Sequence, residues 1–151
     1  AKLRAAGIKF SKIHLSNALK IRPTPAARAA LRAFCEPVYF HQTIARAADG
    51  RLTRYRDLDV ALDAADAAGG AVGDEWRIHF HIPLHSPPTQ LFGNTADHLL
   101  AVLDAVKADP ALCKHFEMET YTWEVMPGEL KRRDVVDQLA GEYEWTLARF
   151  A

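Results

Sequence analysis

Four stretches of the chain carry polar side chains at every second position. They are Lys12, His14 and Ser16; Tyr39, His41 and Thr43; His79 and His81; and Glu117, Glu119, Tyr121 and Trp123. Alternate residues of a strand share one face, so each stretch would present its polar groups to one side. Burying so many ionisable groups costs several kcal/mol unless they are paired, hydrogen-bonded or bound to a metal. Neutral imidazoles with carboxylates form a nitrogen and oxygen donor set suited to a divalent ion such as Zn, Mn, Co or Mg.

Other chemistries have less support. There is no Walker-type loop and no G-x-G-x-x-G, and Gly69, Gly70 and Gly73 read as a helix end and loop. No G-x-S-x-G is present, and Cys35 and Cys113 sit near helix ends before strands, a structural position. The loop from Ser86 to Gly93 follows the His-x-His stretch and reads as a connector or a lid over substrate.

The elements that must position these groups alternate between period 2 and period 3.6. Lys2 to Gly7 reads as a helix end closed by glycine. Ile8 to Ser16 is the first predicted strand, and Thr24-Pro25 then supplies a cap and a first-turn proline for a helix. Val38 to Ile44 is the second strand, followed by a polar loop around Asp49-Gly50 and a helix from Leu58 to Ala68. Trp76 to Ile82 is the third strand, and Thr95 caps the next helix, with Leu99, Leu100, Val102, Leu103 and Val106 apolar. Phe116 to Val125 is the fourth strand. The last helix places Val136, Leu139, Ala140, Tyr143, Leu147 and Phe150 on one stripe. Strict alternation without a two-residue hairpin turn predicts an α/β fold with a parallel sheet. The unit length matches that of a (β/α)8 barrel, of which this chain would hold about four units.

Composition sets the outer bounds. Lys and Arg total 19 against 19 Asp and Glu, which removes the basic footprint of a nucleic-acid binder. No apolar run approaches the ~18 residues of a membrane span. Two cysteines in a domain of this size point to a reducing, cytoplasmic setting.

The segments RIHFHIPLH, Gly93-Asn94-Thr95 and HFEMETYTWEVMP, with KIHLSNAL, VYFHQT and the closing Glu144-Trp145, resemble the EboE metabolite-traffic family. That family is similar to the sugar phosphate isomerases and epimerases built on the xylose-isomerase-like TIM barrel. The resemblance spans the chain and implies that residues 1–151 form the C-terminal half of such a barrel. It implies a divalent metal ion held by His81 and Glu119, with Glu117 and His41 as the catalytic candidates. His79, His14 and Tyr121 would then contact a sugar or other small metabolite.

Family members carry an acidic D-T-C-H segment and half a barrel upstream of the first strand seen here. The expectation is therefore a fragment or a self-associating half, whose partner is the missing N-terminal half or a second copy. The reaction implied is proton transfer through a metal-stabilised enediolate. Two alternatives are a non-catalytic protein that binds or traffics a small metabolite, and a metal-dependent hydrolase.

Overall fold

The computed structural model describes residues 2–70, 72–119, 122–128, 131 and 134–151; Tyr121 lies outside them. The chain opens with a short helix, α1 (Lys2–Ala5), which closes through Gly7 as expected. Two strands follow almost without a break, β1 (Ile13–Leu15) and β2 (Asn17–Ile21), separated only by Ser16. Helix α2 (Pro25–Leu31) begins where the Thr24 side chain accepts the Ala27 N–H, and it tightens into a 3₁₀ turn over Arg32–Phe34. Strands β3 (Thr43–Arg46) and β4 (Leu52–Tyr55) precede α3 (Leu58–Ala67) and the long strand β5 (Glu75–Ile82). The remainder is β6 (Gly93–Asn94), α4 (Ala96–Ala108), β7 (Phe116–Met118) and α5 (Val135–Leu147).

The architecture is mixed α/β, but its main sheet is antiparallel. Five strands lie in the order β4-β3-β5-β2-β6, and every neighbouring pair in that order runs antiparallel. Only the separate pair β1–β7 is parallel among the described strands. The expected all-parallel sheet of four βα units is therefore not what these residues form.

The loop at Asp49-Gly50 supplies the reason. It is a hairpin built on a turn longer than two residues. Gly50 N–H donates to the Ala47 carbonyl at 2.9 Å, and Ala47 N–H donates to the Arg51 carbonyl at 2.9 Å. Gly50 has φ +85°, the left-handed conformation that a type I turn with a bulge requires, and Asp49 accepts the Arg51 N–H. Folding back at this point reverses the chain, so β3 and β5 meet antiparallel. Gly73 then allows Arg46 to approach, since a Cβ there would lie 2.9 Å from the Arg46 carbonyl oxygen.

Two apolar clusters hold these layers. Leu19, Ile21, Leu31, Leu62, Trp76 and Phe80 belong to the larger one, which joins the main sheet to α2 and α3. Leu15, Leu84, Leu99 and Leu103 form the smaller one beneath the β1–β7 pair. Fully burying each large apolar side chain stabilises by roughly 1.5–3 kcal/mol.

The second predicted strand and the last helix depart from expectation. In the former the polar His41 and Thr43 are buried, as a covered polar face requires, while Val38 and Phe40 on the opposite side are exposed. Residues 38–42 are not in a strand: the Glu36 carboxylate accepts the N–H groups of Val38 at 2.6 Å and Tyr39 at 2.9 Å and bends the segment. In α5 the predicted apolar stripe faces outward, with Val136 71% and Leu147 64% exposed. Its inward face is Gln138, Glu142 and Thr146. Here a hydrogen bond overrides periodicity, because Glu142 accepts the buried Leu84 N–H at 3.0 Å. The fourth predicted strand is also shorter, ending at Met118, with a turn over residues 122–125.

Candidate functional site

Ser16 stands at the junction of the two sheets. The residue before it pairs with β7 and the residue after it pairs with β5. The end of β5 and the residues following β7 are thereby brought to one place, at the C-terminal end of the parallel pair. Glu119 is anchored there by its backbone, whose N–H donates to the Leu15 carbonyl at 3.2 Å.

His81 reaches this point because β5 is irregular. Opposite β2, Ala18 pairs with His81 while Leu19 pairs with Ile78, so β5 carries extra residues at that step. Such a bulge re-aims side chains. His81 becomes buried while His79 stays exposed, with the two rings 4.9 Å apart. The Thr122 hydroxyl donates to the His81 carbonyl at 2.6 Å and locks this end of the strand.

The side chains converge in pairs. Ser16 Oγ lies 3.1 Å from His81 Nδ1 and 3.2 Å from Nε2. Glu119 Oε2 is 3.4 Å from His14 Nδ1 and 3.8 Å from His81 Nδ1. Glu117 Oε2 lies 3.3 Å from His14 Nε2 and 2.8 Å from Lys12 Nζ. Burial pushes His81 below the ordinary imidazole value, opposed by the Glu119 charge and assisted by His79. It is thus held as the neutral imidazole, the form that ligates metals. The hydrogen bond from Lys12 holds the Glu117 carboxyl below its usual range, so Glu117 is an exposed carboxylate.

The remaining predicted residues lie around this centre. His79 Nδ1 is 2.9 Å from the Gln42 side-chain oxygen. His41 is fully buried and stands behind the site. Its Nδ1 is 3.1 Å from the His79 carbonyl oxygen, and its Nε2 is 2.9 Å from Glu36 Oε1. Its backbone N–H donates to Asp57 at 2.9 Å. The structure therefore brings together His14, His81, Glu117 and Glu119, sets His79 beside them, and buries His41 against the His79 backbone and Glu36. Tyr121 falls outside the described residues.

Sequence reasoning did not assign Ser16, Gln42, Thr122 or Glu142 to the site. Ser16 carried a signal, sharing the alternating face of His14. Gln138, Glu142 and Thr146 carried another, a polar stripe at helical spacing, which the stronger apolar stripe obscured. A larger hollow of about 750 Å³ lies at the other end of the β1–β7 pair, lined by Arg4, Lys9, Ser11, Lys114 and His115 among others. None of the predicted site residues lines it.

Compared with known proteins, the chain matches no protein-family profile, no curated sequence and no solved structure. No described helix is long and apolar enough to cross a membrane. Cys35 and Cys113 are both free thiols.

Proposed function

We propose that the chain is a divalent-metal-dependent protein of the sugar or sugar phosphate isomerase and epimerase type, with His81 and Glu119 as metal ligands. The observation that carries this reading is the meeting of a neutral, buried imidazole with a carboxylate oxygen 3.8 Å away, at the junction of three segments. The donor chemistry fits a borderline divalent ion. Among the described residues no three His, Cys, Asp or Glu side chains are grouped to hold a metal ion, so they supply a pair of ligands and not a complete sphere.

A bound divalent ion would polarise neighbouring substrate oxygens. The chain's own groups do the rest. Ser16 and Thr122 fix the His81 ring and backbone. Half-exposed His14 and exposed His79 stand beside the pair, where they would contact substrate. Glu117 is the carboxylate able to take a proton from carbon, and Lys12 keeps it ionised. His41 acts through the His79 carbonyl and is a positioning residue.

The C-terminal barrel half remains part of the proposal and rests on the parallel β1–β7 pair. Glu119 follows its second strand, at the end where parallel barrels carry their functional groups. The antiparallel main sheet gives that reading no support. A cytoplasmic location is proposed on the two free thiols.

Metal content before and after His81→Ala and Glu119→Gln tests the assignment. Loss of bound metal in both variants is expected, and unchanged stoichiometry in both overturns it. A second reading, a non-catalytic small-metabolite binder, is favoured by the paired and incomplete donor set. Retention of sugars without turnover of any sugar or sugar phosphate would select it.

A further inference from the structure

The hollow of about 750 Å³ at the other end of the β1–β7 pair falls in the range of roughly 300–1,000 Å³ that small-molecule sites occupy. Two stretches of chain line it, Arg4 with residues 7–11 and residues 111–115. Both are tied in place. Where β1 begins, the Ile13 N–H donates to the His115 carbonyl at 3.0 Å, and the Cys113 thiol donates to the same oxygen at 3.2 Å. Beside α1, Arg4 Nη1 meets Asp109 Oδ2 at 2.8 Å, and the Ile8 N–H returns to the Leu3 carbonyl at 2.9 Å.

The lining is one-sided in charge. It carries Arg4, Lys9, Lys114 and His115 and no aspartate or glutamate. Asp109 lies outside the lining and is engaged by Arg4. Lys12, the next cation along the chain, is committed to Glu117 at 2.8 Å. Lys9 and Lys114 are exposed and have no ion-pair partner among the described residues. Because Lys and Arg equal Asp and Glu over the whole chain, this is a local excess, with acids gathered elsewhere, as at Asp59, Asp63 and Asp66 of α3. A cationic excess confined to one concavity draws in a small anion, without the extended basic stripe that a nucleic-acid backbone needs. The other part of the lining is apolar and includes Ile8 and the half-buried Phe10 and Leu112.

We propose that this hollow binds a small organic phosphate, whose anionic group pairs with Lys9 and Lys114 and whose carbon body covers Phe10 and Leu112. Lysine ammonium groups bind phosphate as point charges, and an apolar wall with a few charged groups is the usual make-up of a small-molecule site. The hollow shares no residue with the His81–Glu119 pair and stands at the opposite end of the β1–β7 pair, so it is a second, separate site.

The experiment follows the amide signals of the metal-free chain as phenyl phosphate, inorganic phosphate or phenol is added. Phenyl phosphate is expected to shift residues 7–11 and 111–115 together and saturably. Inorganic phosphate and phenol should each bind about fivefold or more weakly, since each lacks one half of the interaction. Lys9→Gln combined with Lys114→Gln should weaken phenyl phosphate by about fivefold or more, and added salt should weaken it in the wild type. Both lysines are exposed, so the double variant keeps its fold. No saturable shift at residues 7–11 and 111–115 would overturn the proposal. So would inorganic phosphate or phenol binding as tightly as phenyl phosphate, or a double variant that binds unchanged. With no metal present, neither result bears on the assignment of His81 and Glu119.

Discussion

Asp57 is the residue on which the back of the site depends most. One oxygen, Oδ1, accepts two backbone N–H groups, that of Leu58 at 2.8 Å and that of His41 at 2.9 Å. The first bond caps α3, and losing an Asp cap costs typically ~1 kcal/mol. The second satisfies the backbone of a fully buried histidine. An orphaned buried donor costs roughly 1–3 kcal/mol. Asp57→Ala should therefore destabilise by roughly 2–4 kcal/mol, the sum of both effects. Asp57→Asn keeps a side-chain carbonyl in the same position and should lose about 1 kcal/mol or less, the charge assistance alone. Urea unfolding measures this directly. With slopes of about 1–3 kcal/mol/M for small proteins, the alanine variant should unfold at least about 0.7 M earlier. A displaced His41 would also release the His79 carbonyl 3.1 Å from its ring, loosening the site from behind. An alanine variant within about 0.5 kcal/mol of wild type, the range of ordinary surface substitutions, would refute the reasoning. So would an asparagine variant as damaged as alanine.

Glu142 makes stability depend on pH in a defined direction. Its folded value is raised, so its contribution is complete below the unfolded carboxyl value of 4.5 and is lost as pH rises through the folded value. Glu142→Gln cannot ionise, so its stability relative to wild type should rise as pH increases above the unfolded value, by roughly 1–3 kcal/mol, the cost of an unsatisfied buried polar group. A difference that stays constant with pH in urea unfolding would contradict this. Glu117 and Asp97 act in the opposite sense, since their lowered values make stability fall only as pH drops through the acid range. Gly50→Ala should cost about 1–2 kcal/mol through its left-handed backbone, read from the thermal midpoint. No change there would remove the hairpin's need for glycine.

Local signals were legible where a single residue type decides the conformation. Thr24-Pro25 and Gly7 act where expected, because capping and left-handed glycine are local chemistry. The long apolar alternation of Ile78, Phe80 and Ile82 also held, since all three are buried. The errors arose where a distant partner decides. Glu36, Asp57 and the His79 carbonyl together draw His41 inward, and no period in residues 38–44 reports them. The inward face of α5 is chosen by Leu84, over 50 positions away, whose buried N–H needs an acceptor. Strand direction was missed because the Asp49-Gly50 turn was judged against two-residue loops, although its glycine marks a longer hairpin equally well. Of the site, the face shared by His14, Glu117 and Glu119 could be read from alternation. The burial of His81 could not, because it follows from a bulge that only the pairing of β2 with β5 creates.

The central claim is that His81 and Glu119 hold a divalent ion where β5 and the residues after β7 meet. Titrating the isotope-labelled chain with substoichiometric Mn²⁺ and following paramagnetic broadening of its amide signals tests this most directly. The account predicts that residues 14–16, 79–82 and 117–119 broaden first, and that Glu119→Gln abolishes the effect. Broadening that begins elsewhere, for example at the exposed carboxylates Asp59, Asp63 and Asp66 of α3, with residues 79–82 and 117–119 still sharp, would contradict it.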